Sequence, residues 1–375
     1  MKVLFFTMHM ARGGAERVIS TLCNGAFGKC CEPYILTVIK GKSDYELSRY
    51  VKLYGLIAQE NYLHKGKIKT LPEACRKFYA FVKKRKPDII ICFLPEPCFI
   101  AGLYREKLGI PIIGSERGNP YDEFKNPLYR IAGNWLYAKA DGFVFQTEGA
   151  RDFFCSRVRG KSAIIGNPIA YEKLPDVPVA ERKKEIVAVG RFAPEKNYPL
   201  LIRAFAKAVK CRPGYKLRIF GRYREDDEAV QLIHRLGLSG HVFLEGEVEN
   251  VREKIYRSYA YVLTSLSEGM PNALMEAMAA GMPVIASDCP SGGPAALIKN
   301  GVNGLLFENG NEDAAARAII RLIDSPQLAE RLGAQAGKIQ DEYAEAKIAD
   351  MWTRYIRKAG NLQMEGEESV FRSLQ

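Results

Sequence analysis

Much that would place this sequence quickly in a class is missing from it. Its 375 residues hold four histidines (His9, His64, His234 and His241) and two tryptophans. None of the nine cysteines forms a Cys-x-x-Cys pair, and no histidine pairs with a cysteine at metal-ligand spacing. The usual zinc and dithiol signatures are therefore excluded. An odd cysteine count without framework spacing fits free thiols in a reducing compartment. No run approaches the roughly 18 uninterrupted apolar residues of a spanning helix. The opening "MKVLFFTMHMARGGAER" turns polar too soon for a signal peptide and reads as a strand. A cytoplasmic protein is the expectation. G-x-G-x-x-G and G-x-x-x-x-G-K-[ST] are both absent, so the common dinucleotide and P-loop marks are lacking. There is no internal repeat and no low-complexity tract.

What is present is a soluble, globular composition: 47% hydrophobic and 26% charged residues. The length calls for two or three domains, at about 150 residues each. The formal charge of +12 is unevenly spread. Residues 1–170 hold 27 lysines and arginines against 15 acidic residues, whereas the remainder holds 28 of each. A basic N-terminal half attracts phosphate-bearing partners or anionic lipid headgroups, or simply stays solvated. No nucleic-acid recognition motif accompanies it.

Short apolar runs ending in Gly, Ser, Asn or Pro alternate with helical patterns. Strands are expected at "VLFFTM" (3–8), "YILTVI" (34–39), "DIIICF" (88–93), "PIIGS" (111–115), "GFVFQT" (142–147) and "SAIIGN" (162–167). In "TLPEACRKFYAFVKKRKPD", Leu71, Ala74, Cys75, Phe78 and Val82 form one helical stripe. The stretch "NPIAYEKLPDVPVAERKK" (167–184) reads as a linker. After it the alternation restarts with "EIVAVG", "KLRIFG", "HVFLEG", "AYVLTS", "MPVIAS" and "GLLF". Near-continuous apolar strands alternating with helices predict parallel sheets covered on both faces. The fold class is therefore α/β, with two tandem Rossmann-like doubly wound domains facing a cleft. The expected domains are 1–170 and 171–344, with a C-terminal helix at about 345–362 packing back on the first. The final "GNLQMEGEESVFRSLQ" reads as frayed.

One stretch asks for chemistry: "SEGMPNALMEAMAAGMPVIASD". "NALMEAMAA" has high helix propensity, Pro271 suits its first turn, and Gly281 with Pro283 ends it. Glu268 then sits in the preceding loop and Glu276 about 7 Å along the helix axis. The positive helix end between the two carboxylates suits a diphosphate, with one glutamate for each flanking sugar. The plainer reading gives both glutamates structural partners. Upstream, "GRFAPEKN" puts Arg191 and Lys196 in a strand-to-helix loop, a planar fork and a point charge suited to a leaving diphosphate. Gly13 and Gly14 follow the first strand, where backbone can approach a ligand. Glu116 and Arg117 in "IIGSERGNP" end another strand on the side expected to face the cleft.

Taken together, these features resemble the family-four glycosyltransferases, retaining enzymes of the GT-B fold, over nearly the whole chain. Gly13-Gly14, "GRFAPEKN", "EGEVENVREKIYRSYAYVLTSLSEGMPNALMEAMAAGMPVIASD" and "GGPAALIKNGVNGLLF" carry the likeness. The resemblance implies that Arg191 and Lys196 hold the donor diphosphate and act in catalysis with Glu268. It also implies that Glu268 and the backbone of Gly269, Met270, Pro271 and Asn272 face the transferred sugar. Glu276 would bind the ribose, Val248 would line the base pocket, and Gly13 and Gly14 would serve closure on phosphates and acceptor. The chain departs from the family in two places. Gly221 is followed by Arg222 and Tyr223 instead of a second glycine. Ser115-Glu116-Arg117 stands where relatives have a histidine, so Glu116 and Arg117 are candidate acceptor or cleft residues only.

The expected activity moves a hexose or N-acetylhexosamine from a nucleotide sugar, UDP-linked, to a glycan or polyprenyl-diphosphate-linked saccharide in surface glycan synthesis. No D-x-D is present to hold a catalytic divalent ion, so the cations and the helix end would stabilise the leaving phosphate without a metal cofactor. The basic half, "KGKIKTLPEACRKFYAFVKKRK" above all, is the candidate for peripheral contact with an anionic membrane. The other readings are a sugar-nucleotide epimerase or glycan phosphorylase on the same architecture, and a non-catalytic nucleotide-binding module.

Overall fold

The computed structural model describes residues 1–170 and 172–361. Tyr171 of the expected linker, and residues 362–375 of the expected frayed tail, lie outside the described residues. So do the side chains of Lys65, Lys67 and Ile68, within the basic segment singled out above.

The chain forms two compact units, Met1–Ala170 with the stretch from Tyr343, and Tyr171–Glu342. The first is built on a seven-stranded sheet. Its strands are β1 (Lys2–Thr7), β2 (Glu32–Lys40), β3 (Lys52–Ala58), β4 (Ile89–Phe93), β5 (Ile112–Ser115), β6 (Gly142–Phe145) and β7 (Ser162–Ile164). Their order is β3-β2-β1-β4-β5-β6-β7, and every pairing is parallel. Successive β1 residues serve opposite faces: Val3 and Phe5 join one buried cluster, Leu4 and Phe6 the other. Both faces are thus covered, which is why the strands read as unbroken apolar runs.

Not every element was legible. β3, "KLYGLIA", is an edge strand, half-buried and interrupted by Gly55. The basic helix runs over Gln59–Arg85, starting well before the apolar stripe, with Gly66 in a non-helical conformation inside it. Of that stripe Ala74, Cys75, Phe78 and Val82 are buried, but Leu71 is exposed. Leu71 directly precedes Pro72, which sits inside the helix.

The helix Glu345–Gly360 belongs to the first unit. Trp352 is fully buried among Val3, Phe5 and Phe93, its ring stacked 6.1 Å from that of Phe93. Glu345 accepts from the backbone N–H of Ala26, and the Tyr355 hydroxyl joins Phe143 N–H to the Lys161 carbonyl.

The second unit has six parallel strands: β8 (Lys183–Val189), β9 (Lys216–Phe220), β10 (Val242–Gly246), β11 (Ser258–Leu263), β12 (Val284–Asp288) and β13 (Leu305–Glu308). Their order is β10-β9-β8-β11-β12-β13. β8 and β11 are the central neighbours, where the crossover direction reverses; in open α/β sheets ligands bind beyond the carboxyl ends at such a point. All nine cysteines are free. Among the described residues no helix is long and apolar enough to cross a membrane.

Candidate functional site

The loops that leave β8 and β11 are joined side by side. After β8 come Gly190 and Arg191, then a short 3-10 turn over Pro194–Lys196, with Asn197 left-handed at φ 51°. The helix Tyr198–Cys211 follows. Its buried Tyr198 donates to the Gly190 carbonyl and fixes the start of the loop. After β11, Thr264 donates to the carbonyls of Lys196 and Asn197, and Leu266 N–H donates to Glu195. Each loop therefore holds the other's backbone.

The side chains complete the junction. Lys196 Nζ lies 2.5 Å from Glu268 Oε1, and Ser265 donates to the same oxygen over 2.7 Å. Lys196 and Glu268 are 17% and 13% exposed, screened from bulk water but not sealed from it. In such a setting a charge pair is stronger than on an open surface. Ser287 in turn donates to the Ser265 carbonyl.

Beyond Glu268 the chain enters the helix Asn272–Ala279, with Pro271 at its N-cap and no side-chain cap bond. Glu276, 4% exposed, is buried within this helix. Burial pushes the Tyr261 phenol well above its ordinary range, and Glu268 and Glu276 both add to that shift. One tyrosine in β11 thus feels both carboxylates that the sequence spacing singled out.

Close backbone packing sets the loop positions. A side chain on Gly293 would put its Cβ 1.5 Å from the Gly269 carbonyl oxygen, so only glycine fits there. Glu268 N–H also donates to the Pro290 carbonyl, tying "SEGM" to the loop after β12. Gly221, at φ 152°, faces the Gly190 carbonyl, where a Cβ would come within 1.9 Å.

The structure thus joins Lys196 to Glu268, followed directly by Gly269, Met270, Pro271 and Asn272 and then by Glu276. Arg191 shares the Lys196 loop but is 80% exposed and pairs with Glu195 at 3.4 Å. Val248 is half-buried in a separate loop, between β10 and the helix Val251–Ile255. Thr264, Ser265, Tyr198 and Ser287 add to the residues the sequence offered; the hydroxyl-rich "TSLS" after an apolar strand was a signal for the first two, and nothing local marked Tyr198 or Ser287.

The remaining candidates belong to the first unit. Gly13 and Gly14 open the helix Gly14–Asn24, and the Tyr45 hydroxyl takes up both the N–H and the carbonyl of Gly13. Glu116 is buried, with one oxygen accepting from Arg117 and Gly118 N–H and the other from Tyr137. Glu123 adds a hydrogen bond to it, and burial, reinforced by Glu116, raises the Glu123 carboxyl to about 10. Arg117 is buried against the rings of Phe93 (4.8 Å) and Trp352 (5.4 Å) and donates to Asn167. That burial lowers its guanidinium to about 9, with Nε and Nη2 unpartnered among the described residues.

Comparison with known proteins follows the same division. The family model "Glycosyltransferase Family 4" matches residues 12–173, and "Glycosyl transferases group 1" matches residues 172–339. An uncharacterized glycosyltransferase of Haemophilus influenzae is 25% identical over 355 residues, 94% of this chain and 98% of its own length. A second relative, from Campylobacter jejuni, is GalNAc-alpha-(1->4)-GalNAc-alpha-(1->3)-diNAcBac-PP-undecaprenol alpha-1,4-N-acetyl-D-galactosaminyltransferase. It is 24% identical over 369 residues, 96% of this chain and 99% of its own length. The crystal structure of Anabaena HepE in complex with UDP superposes with a TM-score of 0.77 at 18% identity, over 96% of this chain and all of that one. The two Rossmann-like units are those of the GT-B fold. The two family models together span residues 12–339, and the chain belongs to the family-four glycosyltransferases.

Proposed function

We propose that the joined loops of the second unit bind a nucleotide sugar, UDP-linked, and that the enzyme passes its hexose or N-acetylhexosamine to a saccharide acceptor in surface glycan synthesis. The observation that carries this reading is the Lys196–Glu268–Ser265 junction directly before a helix that bears a buried Glu276. As the bond from sugar C1 to the diphosphate breaks, its electron pair goes to the phosphate oxygen. Lys196, Arg191 and the positive helix end at Met270, Pro271 and Asn272 stabilise that developing charge. Glu268, Gly269 and the backbone that follows face the sugar, Glu276 takes the ribose hydroxyls, and Val248 lines the base. Lys196 arrives already neutralised by Glu268; a diphosphate competes for its ammonium and leaves the carboxylate to the sugar hydroxyls.

The UDP held by Anabaena HepE supports the choice of nucleotide. The undecaprenol-diphosphate saccharide in the name of the Campylobacter relative supports a lipid-linked acceptor. Retention of configuration follows the family likeness. The expected chemistry uses no metal and takes place at the cytoplasmic membrane face, reached through the basic first unit. The test incubates the protein with a panel of nucleotide sugars, with and without EDTA, and measures released nucleotide. Release from one UDP-sugar, unchanged by EDTA and lost in Glu268→Ala, is the expected result. Release that EDTA abolishes would overturn the metal-free mechanism, and release undiminished in Glu268→Ala would overturn the site.

A further inference from the structure

The first unit carries a cavity of about 630 Å³ at the N-terminal ends of β1, β2 and β3. Gly13 and Gly14 follow the opposite end of β1, so the cavity lies at the sheet edge away from the usual substrate side of such folds. Four cations line it, Lys2, Lys29, Lys52 and Arg85, while Glu32 is the one carboxylate among its described lining residues. None of the four is ion-paired among the described residues, so their charge is available to a ligand.

Aromatic walls stand between these cations. The Tyr50 side chain is 49% exposed, yet its hydroxyl donates to the carbonyls of Cys23 and Asn24, both at 3.1 Å. An open ring is thereby held in one orientation, a flat apolar platform with little entropy left to lose on binding. Across the cavity Tyr54 carries the Arg85 guanidinium 4.6 Å above its ring and meets Tyr34 edge-on at 6.5 Å. The Tyr34 hydroxyl is buried and has no hydrogen-bond partner among the described residues. A buried hydroxyl without a partner is costly unless something completes it.

A fixed ring face packs against the C–H face of a pyranose, and flanking lysines and an arginine take a carboxylate or phosphate on the same molecule. We propose that this cavity is a second saccharide site, which holds an acidic glycan segment at the N-terminal strand edge of the first unit. The choice of a saccharide rests on the glycan-building reading above; the cationic, aromatic cavity does not.

The test is calorimetric titration of the full chain with a hexasaccharide of alternating glucuronate and N-acetylglucosamine. A neutral N-acetylglucosamine oligomer of equal length, inorganic phosphate and phosphatidylglycerol vesicles are the comparison probes. The acidic hexasaccharide binds, and the neutral oligomer and phosphate bind at least about tenfold more weakly. Tyr50→Ala and Lys52→Glu each weaken the acidic ligand by about tenfold, the worth of one stacking or charge-assisted contact, while Tyr50→Phe, which keeps the ring without its anchor, loses less than Tyr50→Ala. UDP affinity, measured on the same samples, stays constant, so the two sites fail or stand separately. Thermal unfolding followed by circular dichroism reports that Tyr50→Ala is folded, and the exposed Lys52→Glu repeats the test without touching an anchored ring. Three results would overturn the proposal. They are equal binding of the acidic and neutral hexamers, indifference to both variants, and vesicle capture lost in the variants with no hexasaccharide binding. The last would make the surface a membrane face.

Discussion

Two strand ends in this molecule each carry a glutamate and a cation, and the folds around them use the pair in opposite ways. After β11, Glu268 reaches Lys196 from another loop, and both side chains keep some exposure. After β5, Glu116 and Arg117 are adjacent in sequence and buried; Glu116 attracts Arg117 electrostatically, but among the described residues no salt bridge joins them. Glu116 is occupied by its own loop's N–H groups and Tyr137, and Arg117 by two aromatic rings and the Asn167 side chain. A charge whose partner is another charge can exchange that partner for a ligand's phosphate or hydroxyls. A charge held by backbone amides and rings has much less to exchange, because removing those partners leaves it buried alone. Position at a strand's carboxyl end was the same clue in both cases; the nature of the partners separates them.

The largest expected effect breaks the buried side of this contrast. Trp352→Ala removes one of the two rings against Arg117 and empties a fully buried site. Loss of about 3–5 kcal/mol is expected, as for other aromatic truncations in a core. Denaturant unfolding followed by circular dichroism measures it. Arg117→Met puts an apolar thioether in place of the guanidinium that lies against the two rings, two of whose nitrogens have no partner among the described residues. It should leave the midpoint level or higher, since replacing a buried charge by an apolar group of similar shape is often neutral. A large loss from Arg117→Met would show that the guanidinium itself holds the fold.

On the other side, Lys196→Ala should cost only about 1 kcal/mol of stability, since Glu268 keeps its Ser265 bond and some water, while cutting turnover by about 10²–10³, the worth of one preorganised group at a developing charge. Initial rates with saturating donor, set beside the melting midpoint, check both halves of that statement. A variant that loses stability and activity together would place Lys196 with Arg117, as a structural charge.

Glu123 sharpens the comparison through pH. Its carboxyl titrates at about 10 in the folded chain against an ordinary value of 4.5. Between these values the folded state keeps a proton that the unfolded state has released, so stability is full below the lower value and falls as pH rises through the window. Glu123→Gln mimics the protonated form without the proton. The variant should gain about 1–2 kcal/mol at about pH 8 and flatten the decline. Melting midpoints across this range test it; parallel curves for the two proteins would refute the raised Glu123 carboxyl.

The sequence was informative where burial and spacing coincide. Strands covered on both faces are continuous apolar runs, and all but one were visible; β3 escaped because an edge strand with Lys52 and Gly55 has no such run. The E-x7-E spacing located Glu268 and Glu276, since a helix start between two glutamates leaves few geometries. Ser265 and Thr264 stayed hidden because a hydroxyl at a strand end looks like an ordinary solvated turn. Arg117 was misleading for a related reason. A charged residue after a strand reads as exposed, and nothing local announces that Phe93 and Trp352 will close over it. Leu71 failed in the other direction, apolar and on the expected stripe, yet exposed beside Pro72.

The smallest effect expected is at Arg191, which shares the Lys196 loop without sharing its burial. Its contact with Glu195 is long and largely solvated, so Arg191→Ala should change the midpoint by less than about 0.5 kcal/mol. The fork of donors is instead free to take a diphosphate when one arrives. If it does, Arg191→Ala raises KM for the donor by up to about tenfold, and Arg191→Lys recovers only part of this, because a point charge lacks the fork geometry. An unchanged KM would leave the diphosphate to Lys196 and the helix end alone. It would also make exposure, and not membership of the loop, the feature that separates binding residues from bystanders in the second unit.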